Sequence, residues 1–321
     1  MSSYTKSAVK GATIVLIISL IAAFFGYLVR FILARNLTVE EYGLFYSVFA
    51  FLGLFGMFRT FGFDKALIKL IPEFKHHKKY TEIKSSIIYA SIIQLLTNSI
   101  IILGVYLFSN YLSINFFHDP QASTVLRLMA IALFLDSFVQ IIKFALQGFK
   151  KMNYFAGIDL IRMLLILGVI IVGLKLNYGI LSPVAAHILT PIILTIIFSY
   201  ILIKKVFPQF LKSDFIMDTK LMKDISKYGV FIMATTIGGV VLGYTDTLIL
   251  TYFSGLTSVA LYNVALPTAK LFLYFPRAFA GILLPLTSEL WIQNEKTLIK
   301  VGIESLYKYS IILIVPAVFT M

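Results

Sequence analysis

Residues 11–33 read GATIVLIISLIAAFFGYLVRFIL, 34–43 read ARNLTVEEYG, 44–61 read LFYSVFAFLGLFGMFRTF, and 62–72 read GFDKALIKLIP. The first run is long enough to cross a bilayer, which takes roughly 20 apolar residues as a helix. A tight acidic loop, Arg35 to Gly43, follows it. A second apolar run extends to about Phe61, and then come Lys65, Lys69, Lys75, Lys78, Lys79 and Lys84. Apolar arm, short polar turn, apolar arm and basic cluster, in that order, describe a membrane hairpin. Arg30 is buried in its first arm.

The whole chain repeats that character. Its 321 residues are 59% hydrophobic and 13% charged, with a mean hydropathy of +0.91. A soluble domain has about a quarter of its residues charged, so the composition specifies a polytopic membrane protein. The net charge of +13 does not mark a nucleic-acid binder, because the cations occupy short gaps between apolar runs instead of one polar face. No cysteine is present, which excludes disulfides, thiolate metal sites and cysteine nucleophiles. The first apolar run is too long, and lacks the small-residue cleavage site, for a removable signal peptide.

Nine apolar segments can be read, at about 11–33, 42–61, 85–112, 124–146, 153–174, 179–203, 228–253, 258–287 and 301–321. Without water at membrane depth each must satisfy its own backbone polar groups, so each is expected to be a helix. Strands of a closed barrel would be runs of about ten alternating residues, and these runs are longer and do not alternate. Alternate gaps are basic. One set holds Lys6 and Lys10, the 59–84 cluster, Lys143 to Lys151, Lys204 to Lys227, and Lys296 with Lys300; the other holds only Arg35 and Lys175. The basic set is expected on the cytoplasmic side, which puts the N-terminus inside, in a cell (inner or plasma) membrane.

The gap Lys204–Lys227 is the expected lobe boundary: residues 1–205 form a six-helix lobe, 206–227 a cytoplasmic linker, and 228–321 a partial second lobe of three helices. A shift of 217 residues places Lys6 on Lys223, Lys10 on Lys227, Gly26-Tyr27 on Gly243-Tyr244, Leu33 on Leu250 and Leu54-Phe55 on Leu271-Phe272. Six segments separate the copies, so both enter the membrane in one direction. The expectation is a parallel repeat about an axis along the membrane normal. The fold class expected is all-α and polytopic, with about nine transmembrane helices.

Several of these stretches resemble one family. Arg30, Leu33-Ala34-Arg35 and Leu37-Thr38-Val39-Glu40-Glu41-Tyr42-Gly43 look like the first hairpin of polysaccharide (O-antigen type) flippases. Gly62 to Glu73 resembles the segment after their second helix, and Leu146-Gln147-Gly148-Phe149-Lys150-Lys151-Met152 the turn after the fourth. Asp246 and Val259 to Ala265 resemble the repeated hairpin. The resemblance implies the multidrug/oligosaccharidyl-lipid/polysaccharide exporter superfamily, and with it movement of lipid-diphosphate-linked oligosaccharide. That family is similar to two six-helix lobes, often with two more helices. This chain stops at Met321 inside its ninth segment, so only half of a second lobe is expected.

An ionisable side chain inside a membrane span is costly and is a functional candidate by default. Arg30 lies late in segment one, and by the repeat Asp246 falls one residue from it. The pair is read as a gate closing between lobes, against the alternative that Arg30 snorkels to the interface. Arg59 and Arg277 are near-equivalent by the repeat and suit bidentate phosphate capture; the alternative for Arg59 is a simple positive-inside anchor. Lys270 lies near mid-depth between Pro267 and Pro276 and is read as facing a wet cavity. Asp136, with Gln140 one turn on, either couples to an ion or proton or neutralises a cavity arginine. Asp159 and Arg162, and Glu304 and Lys308, have the spacing of pairs on one helix face. Gln94, Thr97 and Asn98 form a polar stripe suited to bonding between helices, and His187 between Pro183 and Pro191 reads as a structural polar residue.

No loop is large enough for a glycosyltransferase domain, and no phosphate-cradling Gly-x-x-x-x-Gly-Lys-Ser/Thr motif occurs. The expectation is therefore a non-enzymatic flippase working by alternating access without a cofactor. Substrate binding is assigned to Arg30, Arg59, Lys270 and Arg277, and gating or coupling to Asp136 and Asp246. Its expected partners are lipid-linked oligosaccharide, the bilayer, and glycan-assembly glycosyltransferases or a polymerase. Two other readings stand beside it: a cation-coupled multidrug exporter of the same superfamily, and a non-transporting scaffold of a glycan-assembly complex.

Overall fold

The computed structural model describes residues 3–56, 58, 62–216, 218–271 and 296–319. Helices α1 (Ser3–Asn36) and α2 (Val39–Leu54) form the first hairpin. Then come α3 (Phe63–His76), α4 (Tyr80–Asn115), α5 (Ala122–Gly148), α6 (Met152–Lys175) and α7 (Leu181–Ile201). A π turn, Leu202–Val206, and a short 3-10 turn, Pro208–Leu211, lead to α8 (Thr219–Leu271), and α9 spans Lys296–Phe319. Gly255, at φ 79° and ψ 175°, breaks α8 into two arms. The protein is an all-α, multi-pass membrane protein: six spans among the described residues are long and apolar enough to cross a bilayer. Residues 272–295, which include the second half of the eighth apolar segment, lie outside the described residues. By its contacts the chain forms two compact units, residues 1–261 and residues 262–321.

The LTVEEYG stretch has a local cause. Thr38 caps α2: its hydroxyl accepts the Glu41 N–H at 3.2 Å, while the Glu41 carboxylate accepts the Thr38 N–H at 3.1 Å. Such a reciprocal capping box satisfies two amide donors that α2 would otherwise leave bare. The second Glu41 oxygen accepts the Ile180 N–H at 3.3 Å, tying the first hairpin to the α6–α7 turn. Glu41→Ala removes both functions, and the expected loss is about 0.5–2 kcal/mol. A lowered unfolding midpoint in detergent, with helix content unchanged, is the check; an unmoved midpoint would remove the cap from the account.

Residues 62–84, read from sequence as a basic loop, contain helix α3. Phe63, Ala66, Leu67 and Ile71 are buried on one side while Lys65, Lys69 and Lys75 are exposed on the other. The three- and four-residue spacing of the apolar set is the helix signal, and that face packs on α4 and α5. Gly62 starts this helix at φ +70°, and a Cβ there would strike the Gly229 carbonyl. Only glycine meets both the left-handed backbone and that contact.

In the unit 1–261, one apolar cluster gathers Leu33, Leu44, Val48, Leu126 and Ile170; a second gathers Leu67, Ile83, Leu146, Ile158 and Phe198. Ser213, Ile216 and Asp218 are strapped to α4. Lys84 donates to the Ser213 carbonyl at 2.7 Å, Ser85 accepts the Ile216 N–H at 3.1 Å, and the buried Tyr89 hydroxyl donates to the Ile216 carbonyl at 2.9 Å and accepts the Asp218 N–H at 2.7 Å. In the expected Gln94–Asn98 stripe, Thr97 donates to the Ile93 carbonyl at 2.9 Å and Asn98 to the Gln94 carbonyl at 2.6 Å. In the unit 262–321, Glu304 meets Lys300, one turn before it, at 3.8 Å, where the expected partner was Lys308 one turn after it. Both side chains are more than half exposed, so the pair adds little.

Candidate functional site

The polar focus of the unit 1–261 lies between α5 and α6. Asp136 sits mid-way along α5 in an apolar run and is 9% exposed. Arg162, ten residues into α6, forms a salt bridge to it through Nη1. Gln140, one turn on from Asp136, donates to the other carboxylate oxygen at 3.0 Å. Two turns further along α5, Lys143 holds both oxygens of Asp159 at 2.6 and 2.7 Å. The expected Asp159–Arg162 pair within α6 is therefore replaced by two pairs across helices. The reason is electrostatic: at low dielectric each carboxylate needs a cation at contact distance. Lys143 and Arg162 supply one apiece only if the bonds cross from α5 to α6.

Above these pairs opens a cavity of about 330 Å³. Asp136, Gln140, Arg162, His187, Thr190 and Tyr244 provide its polar groups, and Phe49, Met163 and Ile166 are among its apolar lining. The His187 Nδ1 lies 2.8 Å from the Pro183 carbonyl. A carbonyl only accepts, so that nitrogen carries the proton and Nε2 is left as the acceptor. Phe45 and Phe49 hold the imidazole, with ring centroids at 5.5 and 5.7 Å. The Arg162 Nε and Nη2 and the Thr190 hydroxyl are buried with no hydrogen-bond partner among the described residues. A buried polar atom in that state costs about 1–3 kcal/mol, and three of them at one cavity mark a place not built for packing alone.

Among the described residues assigned from sequence, Asp136 lines this cavity, paired with Arg162. Arg30 is half-buried, its guanidinium 4.5 Å above the buried Tyr46 ring. Asp246 is half-buried on the first arm of α8 and accepts the Thr247 N–H at 2.7 Å. Lys270 is exposed near the end of α8, in the unit 262–321. Arg59 and Arg277 lie outside the described residues. Arg127 is a clamp on α4: Nε donates to Ser109 at 2.7 Å and Nη2 to Asn110 at 3.1 Å. Sequence reasoning passed over Arg162, His187 and Thr190 as site members. The available signal was their depth: each falls several residues inside an apolar run.

The long apolar helices, and a largely apolar cavity among them that holds a buried acid–base pair, describe a multi-pass membrane protein with an internal site. Its fold is similar to the inward-facing conformation of a multidrug resistance MATE family transporter of the MOP superfamily, with a TM-score of 0.64 at 16% identity over 89% of this chain and 70% of that one. The chain belongs to the polysaccharide biosynthesis protein family, whose model matches residues 8–291. It is 34% identical, over 99% of its length, to an uncharacterized membrane protein of Methanocaldococcus jannaschii. Over 89% of its length it is 25% identical to a protein named as a probable low-salt glycan biosynthesis flippase of Haloferax volcanii. The chain spans 65% and 57% of the lengths of those two relatives.

Proposed function

We propose that this chain is the flippase part of a cell-membrane exporter that moves polyprenyl-diphosphate-linked oligosaccharide by alternating access. Family and fold support transport over catalysis, and the relative from H. volcanii supports a glycan cargo. The single observation that carries the reading is the cavity beside the Asp136–Arg162 salt bridge. It offers polar groups at membrane depth, where a sugar needs them and a lipid tail does not. The same pair weighs against an exporter of organic cations, because Arg162 already answers the one carboxylate in the cavity wall.

In this reading the N-terminus is cytoplasmic, and residues 1–205 and 228–321 are parts of two lobes joined by 206–227. Arg30, Arg59, Lys270 and Arg277 receive the diphosphate, and Arg30 and Asp246 close the outer side. Glycosyltransferases or a polymerase of the same glycan are the partners. The test is complementation of a strain lacking the gene, measured as lipid-linked sugar retained on the inner leaflet. The wild-type protein should clear the accumulated lipid. Lys270→Ala should fail to do so at equal membrane abundance. Clearance by Lys270→Ala would remove that residue from the path, and accumulation unrelieved by the wild-type protein would favour a scaffold.

A further inference from the structure

We propose that the cavity between α2, α5, α6, α7 and α8 is a subsite for one uncharged sugar unit of the head group, and that Gln140 sets its selectivity. The inference rests on the flippase reading and says which part of the cargo enters here. The charges decide first. The charge of Arg162 is balanced by Asp136 in a salt bridge, and that of Lys143 by Asp159 at 2.6 Å. The site has no net charge to offer, so neither a diphosphate nor an organic cation gains by entering it. A neutral, polyhydroxylated ligand does, because charge-assisted donors and acceptors bond strongly to hydroxyls while the pair stays neutral.

Composition and size agree. The wall holds a carboxylate and a guanidinium already locked together, the Gln140 carboxamide, and the Nε2 acceptor of His187. The rings of Phe49 and Tyr244 and the Met163 side chain supply apolar surface for the C–H face of a pyranose. The volume of about 330 Å³ sits at the low end of small-ligand pockets, about 300–1,000 Å³. That is room for a ring or two, not for an oligosaccharide with its lipid. Gln140 is the residue to vary: its amide is oriented by the 3.0 Å bond to Asp136, and it can be removed without unpairing a charge.

The experiment measures binding by the purified protein in nanodiscs. Two probes are used: polyprenyl diphosphate, and the same lipid carrying a single N-acetylhexosamine. The wild-type protein is expected to bind the sugar-bearing lipid about tenfold more tightly, equivalent to roughly one well-made hydrogen-bonded contact set. Gln140→Ala should abolish that preference and leave affinity for the bare lipid unchanged. Met163→Trp, which fills the void and leaves every polar group in place, should do the same. It keeps the test open should the first variant fold poorly. Equal binding of both lipids by the wild-type protein, or a preference that survives both substitutions, overturns the subsite while leaving a flippase in place. Binding of neither lipid by the wild-type protein overturns the flippase reading itself.

Discussion

Arg162→Ala is expected to lower the stability of the protein by about 3–5 kcal/mol, the cost of leaving one member of a buried ion pair unpartnered. In detergent that should appear as a drop of roughly 10 °C in the unfolding midpoint. The cause is geometric. Asp136 and Arg162 keep only 12% and 17% of their side-chain surface, and the cavity around them is mostly apolar. Removing the guanidinium leaves a carboxylate in a medium that solvates it poorly, with the Gln140 amide as an inadequate replacement. Asp136→Ala should be equally damaging, since it strands the arginine. The double change Asp136→Asn with Arg162→Met removes both charges and should recover most of the loss. Single variants that unfold within a degree or two of wild type would show that the pair is well hydrated and not a buried contact.

Under the proposed flippase function, joining Ser47 to Thr251 is expected to stop export and to be reversed by reduction. The two hydroxyl oxygens are 2.8 Å apart and fully buried. They lie where α2 meets the first arm of α8. Nearby, a Cβ on Gly43 would collide with the Leu256 carbonyl, and a Cβ on Gly53 with the Tyr244 ring. Small residues let helices approach this closely in lipid, and a hydroxyl pair contributes only about 0.5–1.5 kcal/mol. Such a seam is tight when shut and cheap to part, as the proposed alternating access would require of a gate. The protein has no cysteine, so Ser47→Cys with Thr251→Cys creates a unique thiol pair close to the S–S bonding distance of about 2.0 Å. Oxidation should trap one state and block export, and a reductant should restore it. Undiminished export from quantitatively cross-linked protein would mean that this seam never opens.

Legibility from sequence differed between fold and site. The apolar runs were plain because each is a property of consecutive residues, and the bilayer permits one backbone solution for them. The charged stretch at 62–84 hid α3: six lysines drew the reading to a loop, although Ala66, Leu67, Leu70, Ile71 and Phe74 keep helical spacing. Asp136 stood out as the lone acid of its run. Arg162 did not, because a partner three residues away in the same helix seemed to explain it. Nearest neighbours in sequence are poor evidence of pairing when a second helix stands closer.

From the amino-acid order alone follow the helical membrane class, the hairpin whose Thr38 and Glu41 cap α2, and the burial of Asp136 within an apolar span. These depend on neighbours within a turn or two and on the water-free solvent around them. Which cation Asp136 meets, that Lys143 takes Asp159, and that His187 and Thr190 share one void with them were decided by tertiary packing. Those contacts are fixed by the rotation and register of α5, α6 and α7 against one another, which the close fit of whole helix faces selects and no single stretch encodes.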